Sequence, residues 1–180
     1  MSKGLITALF IVTFILGIGT GYYLTPNYLL QSTEMSTNTG TAEQKDFQYL
    51  KDMTAHHKGA IKLAEQVVNQ TQNEEIKQLA NMIITEEPKS IATLENELST
   101  RFKSKDSISA TKVVNLGTYD KNLDLRFLNS LIKHHQDGIL MAKDIQYKST
   151  NNFVLSDAQG VESFLTQSLT ALESLREKLY

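Results

Sequence analysis

All four histidines of the 180-residue chain stand in two adjacent pairs, His56-His57 and His134-His135. Each pair sits in a similar stretch, "YLKDMTAHHKGAIKLA" at 49–64 and "FLNSLIKHHQDGILMA" at 127–142. Neutral imidazole is the side chain most often found on a bound metal, and Met53, four residues before His57, adds a thioether suited to soft ions. Consecutive residues on a helix point about 100° apart, so the members of a pair meet different surroundings. The stripe Leu50, Met53, His57, Ala60, Ile61, Ala64 and Val67 turns His57 inward, and Leu128, Leu131, His135, Ile139 and Ala142 do the same for His135. His56 and His134 fall on the shoulder, beside the solvated charges of Asp52 and Asp137. The metal-binding reading therefore ranks His57 and His135 first, followed by His56, His134 and Met53. The competing reading is a buried, hydrogen-bonded layer of structural histidines.

Four amphipathic stretches position these residues, and no segment alternates with the period of a strand. The expected helices are 41–69, opened by a Thr41/Gln44 capping box, 71–100, opened by Thr71/Glu74, 120–148, and 156 to the C-terminus. Short loops make each neighbouring pair an antiparallel hairpin, and the polar stretch "RFKSKDSISATKVVNLGTY" joins the hairpins. The two halves repeat. A shift of 78 residues superposes Asp46 on Asp124, Leu50 on Leu128, Met53 on Leu131, both histidine pairs, Ile61 on Ile139 and Ala64 on Ala142. The fold class is all-α, a four-helix up-down-up-down bundle of two similar hairpins, with first and third helices parallel. Levelling the first hairpin about its loop brings Glu86 and Glu87 opposite His56-His57. Glu87 joins the candidate ligands because a carboxylate on an inner stripe needs a partner. Pro88 follows it, and Gly59 and Gly138 allow close backbone approach just after each pair.

Composition narrows the function classes. The net charge of -2 has both signs interspersed, so there is no basic face for nucleic acid, and the absence of cysteine removes disulfides, thiolate metal sites and cysteine nucleophiles. The run Gly4 to Leu24 carries no charge and is long enough to span a membrane. With Lys3 on its short flank it is expected to be a single-pass anchor leaving the rest on the extracytoplasmic side. A cleaved signal peptide is the rival reading. The organisation is 1–24 anchor or signal, 25–40 polar tether, and 41–180 helical bundle. The Glu-x-x-His signature of di-iron bundles is missing, as are nucleophile-elbow, phosphate-loop and dinucleotide motifs, so an enzyme is not expected.

At "MTAHHKGAIKLA", "LANMIITEE" and "LIKHHQDGILMA" the sequence resembles the DUF305 family of extracytoplasmic helical proteins. That family carries a repeated Met-x-x-His-His-x-x-Ala-Ile-x-Met-Ala motif. The chain departs from it at Leu63, Leu131 and Glu87, the last standing where glutamine is usual. The resemblance implies a ferritin-like bundle and, through copper-associated members, copper as the metal, with zinc as second candidate. The expected function is extracytoplasmic metal buffering, storage or tolerance. The alternative is a cell-surface helical interaction module whose histidines are structural.

Overall fold

A computed structural model describes residues 40–179. They form α1 (Ala42–Glu65), α2 (Glu74–Arg101), α3 (Leu123–Gln146) and α4 (Asn152–Glu177). The expected run 4–24 and most of the tether lie outside the described residues. Among the described residues, no helix is long and apolar enough to cross a membrane.

Local chemistry sets the helix ends. Thr41 caps α1 in the expected box, its hydroxyl accepting from the Gln44 amide while the Gln44 side chain accepts from the Thr41 amide. The Thr71/Glu74 box is not formed. Asn73 caps α2 instead, because its side-chain oxygen reaches the amides of both Glu75 and Ile76, and Thr71 accepts from the Asn73 amide. The same device opens α4, where Ser149 accepts from the Asn151 amide and Asn151 accepts from Val154. This cap starts α4 four residues before the expected Ser156. Asn73 and Asn151 are themselves 78 residues apart, so the repeat includes the caps.

The hairpins α1–α2 and α3–α4 are found, but the directions differ from the expected up-down-up-down order. One apolar cluster joins Leu63, Ala64 and Val67 near the end of α1 to Ile76 and Ala80 at the start of α2. It also holds Leu123, Phe127 and Leu128 from the start of α3, and Leu172 near the end of α4. A second cluster gathers the opposite ends, with Tyr49, Leu50, Met53, Leu94, Leu98, Ala142, Ile145, Val154 and Ala158. α3 therefore runs antiparallel to α1, and the succession is up-down-down-up. The cause is the connector 102–122, which crosses the whole length of the bundle along α1. Lys51 pairs with Asp106, the Thr111 amide donates to the Ala55 carbonyl at 2.9 Å, and the Leu116 amide donates to Gln66 Oε1 at 2.8 Å. Arg126 then fastens the strap to α3 by donating to the Leu116 and Thr118 carbonyls and to Asp120. One long crossover of this kind is the connectivity of ferritin-like bundles.

Asp46, only 1% exposed, meets Arg101 at 2.8 Å and ties the start of α1 to the end of α2. The shoulder aspartates are ordinary surface charges, Asp52 accepting from Gln48 and Asp137 pairing with Lys133.

The junction of the hairpins is the crossing of α1 with α3, where glycine matters. A Cβ on Gly138 would stand 2.6 Å from Leu165 Cδ1 and 2.7 Å from His56 Nε2, whereas one on Gly160 in α4 would meet nothing. Gly138→Ala should therefore destabilise the fold by about 1–3 kcal/mol through overpacking. Gly160→Ala should stabilise it by about 0.5–1 kcal/mol through helix propensity. Urea unfolding of the two variants beside the parent checks both signs.

Candidate metal centre

The histidines occupy the middle of the bundle, between the two apolar clusters. At the crossing of α1 and α3 the rings of His56 and His134 stack face to face, centroids 3.6 Å apart and planes within 1°. These two residues are equivalents in the repeat. Residues that meet their own equivalents mark a two-fold axis, here an internal one relating the hairpins. Each ring lies against a glycine of the opposite helix, His56 against Gly138 and His134 against Gly59, and Thr111 of the strap closes over Gly59.

The expected inward and outward assignment holds for α3 but not for α1. His135 is buried, as expected. On α1 it is His56 that is buried, at 5% exposure, while His57 stands at the edge with 14% of its side chain exposed. The physical reason is that α1 packs on α2, on α3 and under the strap, so its buried arc is wide and includes Thr54, His56 and Gly59 beside the apolar stripe. Because His56 lies on the side of α1 toward α3 and His57 on the side toward α2, the facing pair is His56/His134, not His57/His135.

His57 turns to α2. Its Nδ1 lies 2.5 Å from Glu87 Oε2, and Glu87 does stand opposite the first pair, as the hairpin level requires. α2 continues through Pro88 at this level. The equivalent of Glu87 in the repeat is Leu165, which lies against Gly138. The Nδ1 of His135 is buried without a hydrogen-bond partner, and Glu87, engaged with His57, acts on His135 by its charge alone. His134 Nε2 is a second orphan. Met53 is fully buried in the second apolar cluster, among Leu50, Leu94 and Ala142.

These surroundings divide the imidazoles electrically. Burial, reinforced by the nearby His134, holds His56 far down, at about 2. Burial lowers His134 to about 4 against the opposing charge of Glu87, and burial together with His134 lowers His135 to about 4. His57 is also pressed down by burial, but the charge and hydrogen bond of Glu87 and the charge of Asp157 outweigh it, so its pKa is raised. At neutral pH three of the four rings are uncharged, and their lone pairs are not blocked by a second proton.

Whether these groups fit a metal can be judged from the donors. Two imidazole nitrogens are buried and unpartnered, and a thioether lies in the adjoining layer, a donor set suited to copper. In the stacked arrangement, however, the lone pairs of His56 and His134 lie in parallel planes and do not converge on one point. Among the described residues no group of three or more His, Asp or Glu side chains is gathered around one position. A ring would have to turn to chelate an ion.

Residues 31–98 and 46–115 match the family model described as a domain of unknown function, DUF305, and the solved structures below share the fold. The chain belongs to the DUF305 family. CopM in its Cu(I)-bound form is 23% identical with a TM-score of 0.67, covering 75% of this DUF305 chain and 97% of that one. A DUF305 protein from Streptomyces coelicolor, described as secreted, is 22% identical with a TM-score of 0.67 over 75% of this chain and 92% of its own. A DUF305 fragment from Deinococcus radiodurans is 18% identical with a TM-score of 0.68 over 77% of this chain and 99% of its own. At these identities the likeness is one of fold. No curated protein matches the chain.

The lowered imidazoles make the stability of this DUF305 bundle depend on pH. Their folded pKa values lie below the unfolded value of 6.5, so on acidification the unfolded chain takes up protons that the folded chain refuses. Stability is therefore lost from about pH 6.5 downward to about pH 4, where His134 and His135 begin to charge in the fold. At pH 5 the loss is about 2 kcal/mol for each of the three rings. His57 acts in the opposite sense and offsets part of it. Urea midpoints of the metal-free protein, taken from pH 7.5 to pH 5, should fall, and the His56→Ala, His134→Ala and His135→Ala variants should each flatten the slope.

Proposed function

We propose that this protein binds copper outside the cytoplasm and serves in copper buffering, storage or tolerance. The observation that carries the reading is the pair of buried, unpartnered imidazole nitrogens, His134 Nε2 and His135 Nδ1, in a layer that gathers every histidine of the chain. A buried polar atom without a partner is costly, and at imidazole nitrogen a metal ion removes that cost. His56 and His57 complete the donor set, and Met53 adds a soft ligand near them. The rings that stay neutral at physiological pH bind a cation without first releasing a proton.

Copper is favoured over zinc on two grounds. Divalent copper heads the affinity order for nitrogen sites, and Cu(I) is the ion that thioether and imidazole suit best. CopM, similar in fold, has solved structures with Cu(I), Cu(II) and silver. The role is binding, with no reaction assigned. Export or anchoring through the apolar run Gly4 to Leu24 agrees with the secreted description of the Streptomyces coelicolor neighbour.

The alternative is a helical interaction module with a structural histidine layer. It is favoured by the internal satisfaction of His57 through Glu87 and by the His56/His134 stack, neither of which needs a metal. Competitive titration of the full-length chain with Cu(I), Cu(II) and Zn(II) separates the two. The expected result is binding of copper in preference to zinc. His134→Ala and His135→Ala should each weaken it at least tenfold, a loss of about 1.4 kcal/mol. If both substitutions leave copper affinity unchanged, the structural layer is the correct reading.

A further inference from the structure

The two halves of the layer are not equal, and the inequality lies in one residue. His57 and His135 are equivalents in the repeat, as are Glu87 and Leu165. Glu87 accepts from His57 Nδ1 at 2.5 Å, while the Nδ1 of His135 has no partner. A carboxylate offers only lone pairs, so the nitrogen facing it must carry a proton. In a neutral imidazole the other nitrogen, Nε2, is then the one with the free lone pair. Histidines on metals commonly donate their other ring N–H to a carboxylate in this way, which fixes both tautomer and ring orientation.

We propose that Glu87 is a positioning residue, not a ligand, and that it holds His57 in the Nδ1-protonated form with Nε2 as its metal-binding nitrogen. His135, whose Nδ1 has no hydrogen-bond partner and whose equivalent of Glu87 is Leu165, is left without this constraint. The two halves of the repeat therefore offer unlike donors, a ring on α1 fixed by Glu87 of α2 and a ring on α3 with no carboxylate bonded to it. This rests on the metal-binding reading above. It gives Glu87 a different part from the expected ligand, because its Oε2 is engaged by the His57 ring.

The test has one arm without metal and one with it, both on the full-length chain. In the first, nitrogen–proton correlation spectra of the imidazoles are recorded metal-free, above the titration of His57. The parent should carry the His57 proton on Nδ1, and Glu87→Ala should move it toward Nε2, the tautomer that free histidine prefers. A parent His57 protonated on Nε2 overturns the proposal, whatever the metal affinity. In the second arm, Glu87→Ala should weaken Cu(I) binding by tenfold to a hundredfold. In a His57→Ala background it should cause no further loss, because the two residues act as one. Equal losses in both backgrounds would mean that Glu87 binds the ion directly, and no loss in either would mean that it does not serve the site. Both overturn the proposal. Glu87→Gln, which keeps size and hydrogen bonding, guards against misfolding as the cause and should recover part of the affinity. A parent chain that binds no copper overturns the functional reading, an outcome distinct from the tautomer result.

Discussion

The close antiparallel approach of α1 and α3 governs the rest of the architecture. Two imidazoles can stack at 3.6 Å only if the helices carrying them come near each other at that level. Gly59 and Gly138 make room, since a Cβ at either would collide with the strap or with the opposing ring. With this crossing fixed, the apolar clusters fall above and below it, the hairpin partners α2 and α4 take the flanks, and Glu87 arrives at the level of His57. The stack also requires rings without charge. Two imidazolium ions at that separation would repel, and the burial that depresses His56 and His134 removes the conflict.

Much of this was legible in the sequence. The helical period, the short hairpin loops and the 78-residue repeat sufficed for an all-α bundle of two hairpins. The Thr41 cap and the level of Glu87 followed from local rules. The direction of α3 did not. Composition marks 101–119 as polar but says nothing of how far it travels, and the crossing depends on scattered contacts such as Lys51–Asp106 and Leu116–Gln66. The facing of α1 departs from its apolar stripe for a related reason. A helix packed on three sides has no single stripe, and Gly59, which marks the side toward α3, contributes nothing to a hydrophobic period.

The caps extend the repeat to the second helix of each hairpin. Asn73 and Asn151 open equivalent helices by equivalent bonds, so the same offset that aligns the histidines also aligns α2 with α4. Carried through, it pairs Glu87 with Leu165 and exposes the one chemically unlike position in the layer. Burial presses on both equivalent histidines, but the charge and hydrogen bond of Glu87 raise His57, while burial and the nearby His134 leave His135 lowered. Nothing in the local sequence of either pair announces this difference, because its source is on the neighbouring helix.

The strap has a consequence for how strongly the hairpins must hold each other. Two separate hairpins meeting at the His56/His134 face would associate as independent molecules and would need a large apolar contact to stay together. Tethered by 102–122, they meet at an effective concentration on the order of millimolar, so a weak mutual affinity suffices. That relaxes the composition of the contact. An interface freed from supplying all its own adhesion can accommodate neutral rings, glycines and unpaired nitrogens where a two-chain assembly would require leucine and isoleucine.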